Sequence, residues 1–268
     1  MMRALWTAGS GMIAQQFTVD VISNNLANVN TTAFKKDRAE FKDLLYETLS
    51  RAYILEDAGR PVNLQVGHGT IVSATVKDFQ SGSFEKTDKP LDFAINGDGF
   101  FMVLGPNDEI LYTRDGSFKL SVTDMGKMLS TSDGYPVLDE FGREIILDYD
   151  MDLSRLNVSE DGDLSYTDED GMVVPLGQRI GIVSFDNVHG LESVGKNLYS
   201  ATPASGEAVP NEELVNKSIL LQRHLETSNV QVVEEMVKLI IAQRAYELNS
   251  KAIQSSDEMI SMANNLKR

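Results

Sequence analysis

The sequence predicts an α+β protein in which terminal α-helices pair as a coiled coil around a central all-β domain. Three observations predict it. The stretch Thr227–Arg268 contains neither Gly nor Pro and spaces its apolar residues at alternating steps of four and three. Residues 3–29 carry a second seam of the same kind. Between Thr70 and Tyr199, short runs with β character are separated by Gly, Asp and Asn turns.

In the C-terminal stretch the seam is Ile241, Ala245, Leu248, Ala252, Ser255, Met259, Met262 and Leu266, with Ser255 its one polar member. Val230, Val233, Val237 and Ile240 keep the rhythm upstream, one residue out of phase, as a stutter does. Ser228 and Gln231 have capping-box spacing. Glu234 and Glu235 lie near the positive end of the helix dipole, and Lys267 and Arg268 near the negative end. Glu234/Lys238 and Glu247/Lys251 are i,i+4 pairs in the favourable order. So long a helix requires a partner along its length, and the N-terminal seam offers one: Leu5, Ala8, Met12, Gln15, Val19, Ile22, Leu26 and Val29. Gly9 and Gly11 each weaken an isolated helix by up to ~1 kcal/mol relative to Ala and admit the close approach of another backbone.

At 268 residues the chain is long enough for one or two domains. No apolar run approaches the ~20 residues of a membrane-spanning helix, and Met1-Met2-Arg3-Ala4-Leu5-Trp6 lacks the apolar block and cleavage site of a secretory signal. A formal net charge of −16 argues against nucleic acid as a partner, and the absence of cysteine removes disulfide and thiolate chemistry. The three histidines, His68, His189 and His224, have no i,i+4 metal-binding partner and no nucleophile motif beside them. Gly97-Asp98-Gly99 lacks the third Gly of a dinucleotide fingerprint, because position 102 is Met. Asp148, Asp150 and Asp152 open like a calcium loop, but Leu153 and Ser159 stand where Gly and Glu belong. No catalytic, cofactor-binding or metal-binding residues are assigned, and the expectation is a protein that is not an enzyme.

Ser23-Asn24-Asn25-Leu26-Ala27-Asn28-Val29-Asn30 ends the first helix; its amides suit either a fraying terminus or bonds to neighbouring chains. Residues 34–46 fit a short helix or an extended arm, and Glu47–Leu64, with Gly59-Arg60-Pro61, reads as a long loop or hairpin. Ile71–Val76 alternates with period two, and Phe93–Val103 is two strand-like runs about a Gly-rich turn. Residues 139–180 show turns only. The divisions expected are 1–30 with 228–268 as a terminal helical domain, 31–66 as an extended arm or hairpin linking subunits, and 67–227 as a β-rich outer domain.

The runs "NNLANVNTTAFK" and "IAQRAYELNSKAIQSSDEM" resemble the N- and C-terminal signatures of the bacterial flagellar rod and hook proteins. "INGDGFFMV", "YTRDGSF" and "GLESVGKNLYSATPASG" resemble that family's central motifs. Ala33 departs from the pattern, relatives usually carrying Gly. The 47–64 insert is similar to that of the distal rod members. The resemblance implies a structural subunit that polymerises into a rigid helical tube, transmits torque from motor to hook across the periplasm, and leaves the cell through the flagellar export apparatus without a cleaved signal. It implies as partners further copies of the chain, proximal rod proteins, hook protein, and the P-ring and L-ring proteins. With the two seams, it assigns subunit packing to Leu5, Met12, Val19, Ile22, Asn25, Leu26, Asn28 and Phe34, and to Val237, Ile241, Arg244, Ala245, Leu248, Asn249, Ala252 and Met259. The insert is expected to bridge subunits and keep the tube straight. A proximal rod or hook protein is the alternative within the family; a periplasmic glycan-binding β-domain on a coiled-coil trimer is the alternative outside it. Two helices with few seam residues gain little by pairing alone, since a buried Leu, Val or Met contributes about 1.5–3 kcal/mol while ordering each residue costs about 1–2 kcal/mol. Both termini are therefore expected to be largely disordered in the free chain and to order on assembly.

Overall fold

The computed structural model describes residues 2–50, 63–124, 126–149, 151–168, 172–214 and 216–265. The middle of the 47–64 insert, Asp150 of the acidic run, the Glu169-Asp170-Gly171 turn, and Leu266, Lys267 and Arg268 lie outside the described residues. The chain forms two units: a helical unit of Met1–Ala27, Asp37–Lys77 and Gln231–Arg268, and a β unit of Asn28–Lys36 and Asp78–Val230.

In the helical unit, α1 (Met2–Ala27) packs against α2 (Val232–Asn265). Asn25 meets Glu235, and Gly11 meets Asn249; the separation is fourteen residues on each helix and runs in opposite directions, so the pair is antiparallel. Strand Asp37–Asp43 pairs antiparallel with Thr70–Lys77 beside α1. The 34–46 segment is thus extended rather than helical from Asp37 onward. The alternating Ile71–Val76 run belongs to this unit and not to the β domain, so the boundaries fall at 27/28, 36/37, 77/78 and 230/231, where the sequence reading put them at 30, 66 and 227. The reason is strand pairing across the insert, which period-two patterning does not reveal. Strand Tyr46–Ser50 pairs with Leu64–Gly67, closing the base of the insert. Gly69, at φ +109°, lies where a Cβ would fall 2.1 Å from the Ser10 hydroxyl of α1, so a larger residue would be strained in its backbone and would have to move the Ser10 side chain.

The β unit is organised on a six-stranded antiparallel sheet, in the order 192–195, 198–200, 110–113, 100–104, 182–184 and 209–210. Successive residues of its central strand enter different cores: Phe101 and Val103 join Leu111, Ile182 and Leu164 on one face, while Phe100 and Met102 join Tyr112, Val183, Phe185 and Tyr199 on the other. Burial on both faces explains why Phe100–Val103 is an unbroken apolar run without alternation. Phe93–Asn96 pairs with Ile219–Gln222 and not with the strand after its glycine turn. Residues 139–180, read from sequence as turns, contain strands 146–147, 156–158, 163–167 and 173–179.

Candidate assembly surface

The seam that joins α2 to α1 differs from the most apolar line in the sequence. Glu235, Ala242 and Ser256 are the buried residues of α2, and Leu239, Asn249, Ile253 and Ile260 are half-buried. Seven-residue steps from Glu235 give Ala242, Asn249 and Ser256, so half of this seam is small or polar. Of the stripe predicted along α1, Ala8 and Ile22 are buried and Leu5, Met12, Gln15, Val19 and Leu26 are half-buried, while Val29 lies beyond the helix, which ends at Ala27. Along α2 the seam is rotated by about one residue. Of the predicted seam only Ala245 is half-buried; Ile241, Leu248, Ala252, Ser255, Met259 and Met262 are exposed. Small and polar side chains let the two backbones approach closely: a Cβ on Gly11 would lie 2.9 Å from the Asn249 amide nitrogen.

Polar contacts set the register. Asn25, fully buried, donates from Nδ2 to the Asp37 carbonyl at 2.9 Å and to Glu235 Oε2 at 3.3 Å, and its Oδ1 accepts from the Asp37 N–H. Lys238 Nζ donates to Glu235 Oε1 at 2.7 Å. Within the chain both ends of the Asn25 amide are thus hydrogen-bonded. Asn28, half-buried, accepts at Oδ1 from the Thr31 hydroxyl, and Phe34 is buried. The expected capping box is absent: α2 begins at Val232, and Ser228 Oγ accepts from the Val230 N–H instead. Arg244, expected in lateral contacts, is exposed and paired with Glu247 at 2.8 Å.

Among the described residues, two apolar surfaces of the helical unit are left uncovered. The first is a ridge on α2, formed by Val233 (75% exposed), Val237, Ile240, Ile241 (63%) and Leu248 (66%), and continued by Met259 and Met262. The second is a groove of about 690 Å³ beside α1, lined by Trp6, Gly9, Ile13, Leu44, Ile71 and Val72 among others. Trp6 is 74% and Ile13 68% exposed there. Uncovered apolar areas of this extent mark interaction surfaces.

Sequence reasoning missed a buried ionic cluster in the β unit. Lys35, Arg114 and Glu226 are all fully buried. Glu226 Oε1 accepts from Lys35 Nζ at 2.6 Å and from the Gly82 N–H at 2.8 Å, while Arg114 Nη1 lies 3.5 Å from Oε2 and Nη2 donates to the Gly97 carbonyl at 2.5 Å. Burial, and next the Arg114 charge, lower the Lys35 pKa to about 8 against the opposing pull of Glu226. Nearby, Asn229 accepts from the Lys36 N–H and donates to the Asp78 carbonyl. Asn229 thus ties together three of the four points where the chain enters or leaves this unit. Ala33 adopts φ +54°, a left-handed conformation that glycine takes without the steric cost an alanine bears.

Of the remaining candidates, Asp152 caps a short 3₁₀ turn by accepting from the Ser154 N–H, His68 lines the groove, and His224 Nδ1 contacts the Gln222 carbonyl. Among the described residues no group of three or more His, Asp or Glu is arranged to hold a metal ion, and no helix is long and apolar enough to cross a membrane.

A chain with helices at both ends, a β-rich middle and uncovered apolar surfaces on its helical unit has the attributes of a subunit built for self-association. Three family models match it: "Flagella basal body rod protein" over residues 5–35, "Flagellar hook protein FlgE/F/G D1 domain" over 94–166, and "Flagellar basal body rod FlgEFG protein C-terminal" over 221–266. It is 48% identical to the flagellar basal-body rod protein FlgG of Borreliella burgdorferi over the whole of both chains. It is 42% identical to the protein of the same name from Buchnera aphidicola subsp. Schizaphis graminum, over 97% of this chain and 98% of that one. FlgG of Caulobacter vibrioides is 41% identical, over 99% and 100%. The chain belongs to the flagellar basal-body rod protein family and is a structural component of the flagellar basal body. A solved structure, the Helicobacter pylori flagellar hook protein FlgE2, aligns over 62% of this chain and 47% of its own at 17% identity, with a TM-score of 0.24 too low to bear on the fold.

Proposed function

We propose that the chain forms the distal part of the flagellar rod as a helical homopolymer, and that its terminal helices pair as a coiled coil within the wall of that tube. The uncovered apolar ridge of α2 carries this reading. Its five large side chains, Val233, Val237, Ile240, Ile241 and Leu248, each contribute about 1.5–3 kcal/mol when buried. The α1–α2 seam is half polar, so the helices gain more from neighbouring copies than from each other, which supports the expectation that they order on assembly. The residues we assign to contacts between copies are Val237, Ile241, Leu248, Ala252 and Met259, with Arg244 at their flank.

In this reading no reaction is needed: torque passes along the tube because repeated packing of rigid subunits resists twist. The neighbours are proximal rod proteins below, hook protein above, the P-ring and L-ring proteins around the tube, and the flagellar export apparatus that delivers the chain to the periplasm. The 47–64 insert bridges adjacent copies, and its deletion should leave a polymer that bends. Electron microscopy of concentrated protein tests the proposal: tubes are expected, while discrete small particles would favour a closed oligomer. Helix content by circular dichroism should rise with concentration; full helicity in dilute solution would remove the disorder-to-order step.

A further inference from the structure

We infer that the α1 groove is the receptor for the α2 ridge of a second copy, so that each contact in the polymer is groove-to-ridge and not ridge-to-ridge. The inference rests on the polymer reading above and deepens it by naming the mating surfaces.

An open helical polymer needs a heterologous contact, in which one patch meets a different patch on the next subunit. Among the described residues, the exposed large apolar side chains of the helical unit fall into two groups, those of α1 with its neighbouring strands and those of α2. One group is concave and the other convex. They are also independent of the internal helix pairing. Gly11 faces α2, whereas Gly9 and Ile13 each lie two residues away, about 200° round a helix of 3.6 residues per turn. The groove therefore opens on the side of α1 away from α2.

The two glycines of α1 separate the internal contact from the external one. A Cβ at position 11 would collide with the Asn249 amide. A Cβ at position 9 would meet no atom of the described residues within 4 Å, so nothing among them accounts for a residue that weakens the helix. Gly9 lines the groove, and its missing side chain leaves depth for one arriving from outside. Trp6 beside it is a residue type that commonly anchors interfaces.

The sequence supplies clean probes, since the chain has no cysteine and one tryptophan. Single-cysteine proteins are made at groove positions (Ile13→Cys, Ile71→Cys) and ridge positions (Ile241→Cys, Leu248→Cys), mixed in pairs at assembling concentration and oxidised. Covalent dimers are expected in groove–ridge mixtures only, with Trp6 emission moving to shorter wavelength and acrylamide quenching falling several-fold on assembly. Gly9→Leu should raise the concentration needed for assembly about tenfold or more, equivalent to at least ~1.4 kcal/mol, without lowering helix content. Tubes whose crosslinks are ridge–ridge or groove–groove, tubes in which Trp6 stays quenchable, or Gly9→Leu assembling like the parent would each overturn the pairing while leaving the polymer reading intact. No tubes from the parent chain at all would overturn both.

Discussion

Raising the pH from 7 to 9.5 should stabilise the β unit, and Lys35 should be the cause. Its ammonium is fully buried, donates to Glu226 Oε1 and the Gln80 carbonyl, and shares the one carboxylate with Arg114. Asp78 also faces it and favours the charged form, yet burial and the Arg114 charge prevail, lowering the pKa from 10.5 to about 8. The sign follows from proton counting. Below about pH 8 Lys35 is charged in both states, and the folded state carries the full penalty of two cations on one carboxylate. Between about 8 and 10.5 the unfolded chain still holds a proton that the folded chain has released, so stability rises with pH. At about 1.4 kcal/mol per pH unit, the gain is roughly 2 kcal/mol by pH 9.5. Tyr112, whose pKa is raised by burial, acts in the opposite sense once the unfolded chain's tyrosines ionise near 10, which sets the upper limit of the titration. Urea unfolding followed by tyrosine near-ultraviolet circular dichroism, reporting on buried Tyr112 and Tyr199, measures the effect. Lys35→Met keeps the Arg114–Glu226 pair and should lose this rise. Parallel pH profiles for parent and variant, or a parent that weakens toward pH 9.5, would refute the reasoning.

Further outcomes follow from other contacts. Glu226→Gln leaves Lys35 and Arg114 buried around a neutral amide and should destabilise the β unit by about 3–5 kcal/mol, read as a lower urea midpoint. Ala33→Gly relieves a left-handed residue, which costs about 1–2 kcal/mol, against about 0.4–1 kcal/mol of added unfolded-state entropy; a net rise in thermal midpoint is expected. Gly11→Ala should cost about 1–3 kcal/mol of helix pairing through its collision with Asn249, and Asn249→Ala in the same chain should recover part of it, both measured by amide exchange in assembled protein. Phe101→Ala, in the centre of the six-stranded sheet, should cost about 3–5 kcal/mol in the same unfolding assay.

Sequence periodicity located both helices because apolar spacing repeats with the helical turn, and of its α1 stripe Ala8 and Ile22 are buried while Leu5, Met12 and Val19 are half-buried. It misassigned the inner face of α2 for a physical reason. Glu235 and Asn249, which meet α1, and the buried Ala242 and Ser256 in line with them are small or polar, while the conspicuous stripe through Ile241 and Leu248 is exposed. The short motifs at Asn24–Lys35 and Tyr112–Phe118 were legible as resemblance. That Lys35 and Arg114 from those motifs converge on Glu226 was not, since charge pairing over long separations leaves no periodic trace.

The sequence by itself determined the class of the protein, the existence of its helical ends and β-rich middle, and the family to which it belongs. These rest on local spacing and on short motifs, which are properties of contiguous residues. Only the tertiary structure decided that strand Asp37–Asp43 pairs with Thr70–Lys77 across the insert, that Asn25 and Phe34 are buried, and which stripe of α2 is left uncovered. Those depend on which distant segments meet, and burial is set by that meeting and not by the hydrophobicity of any one stretch.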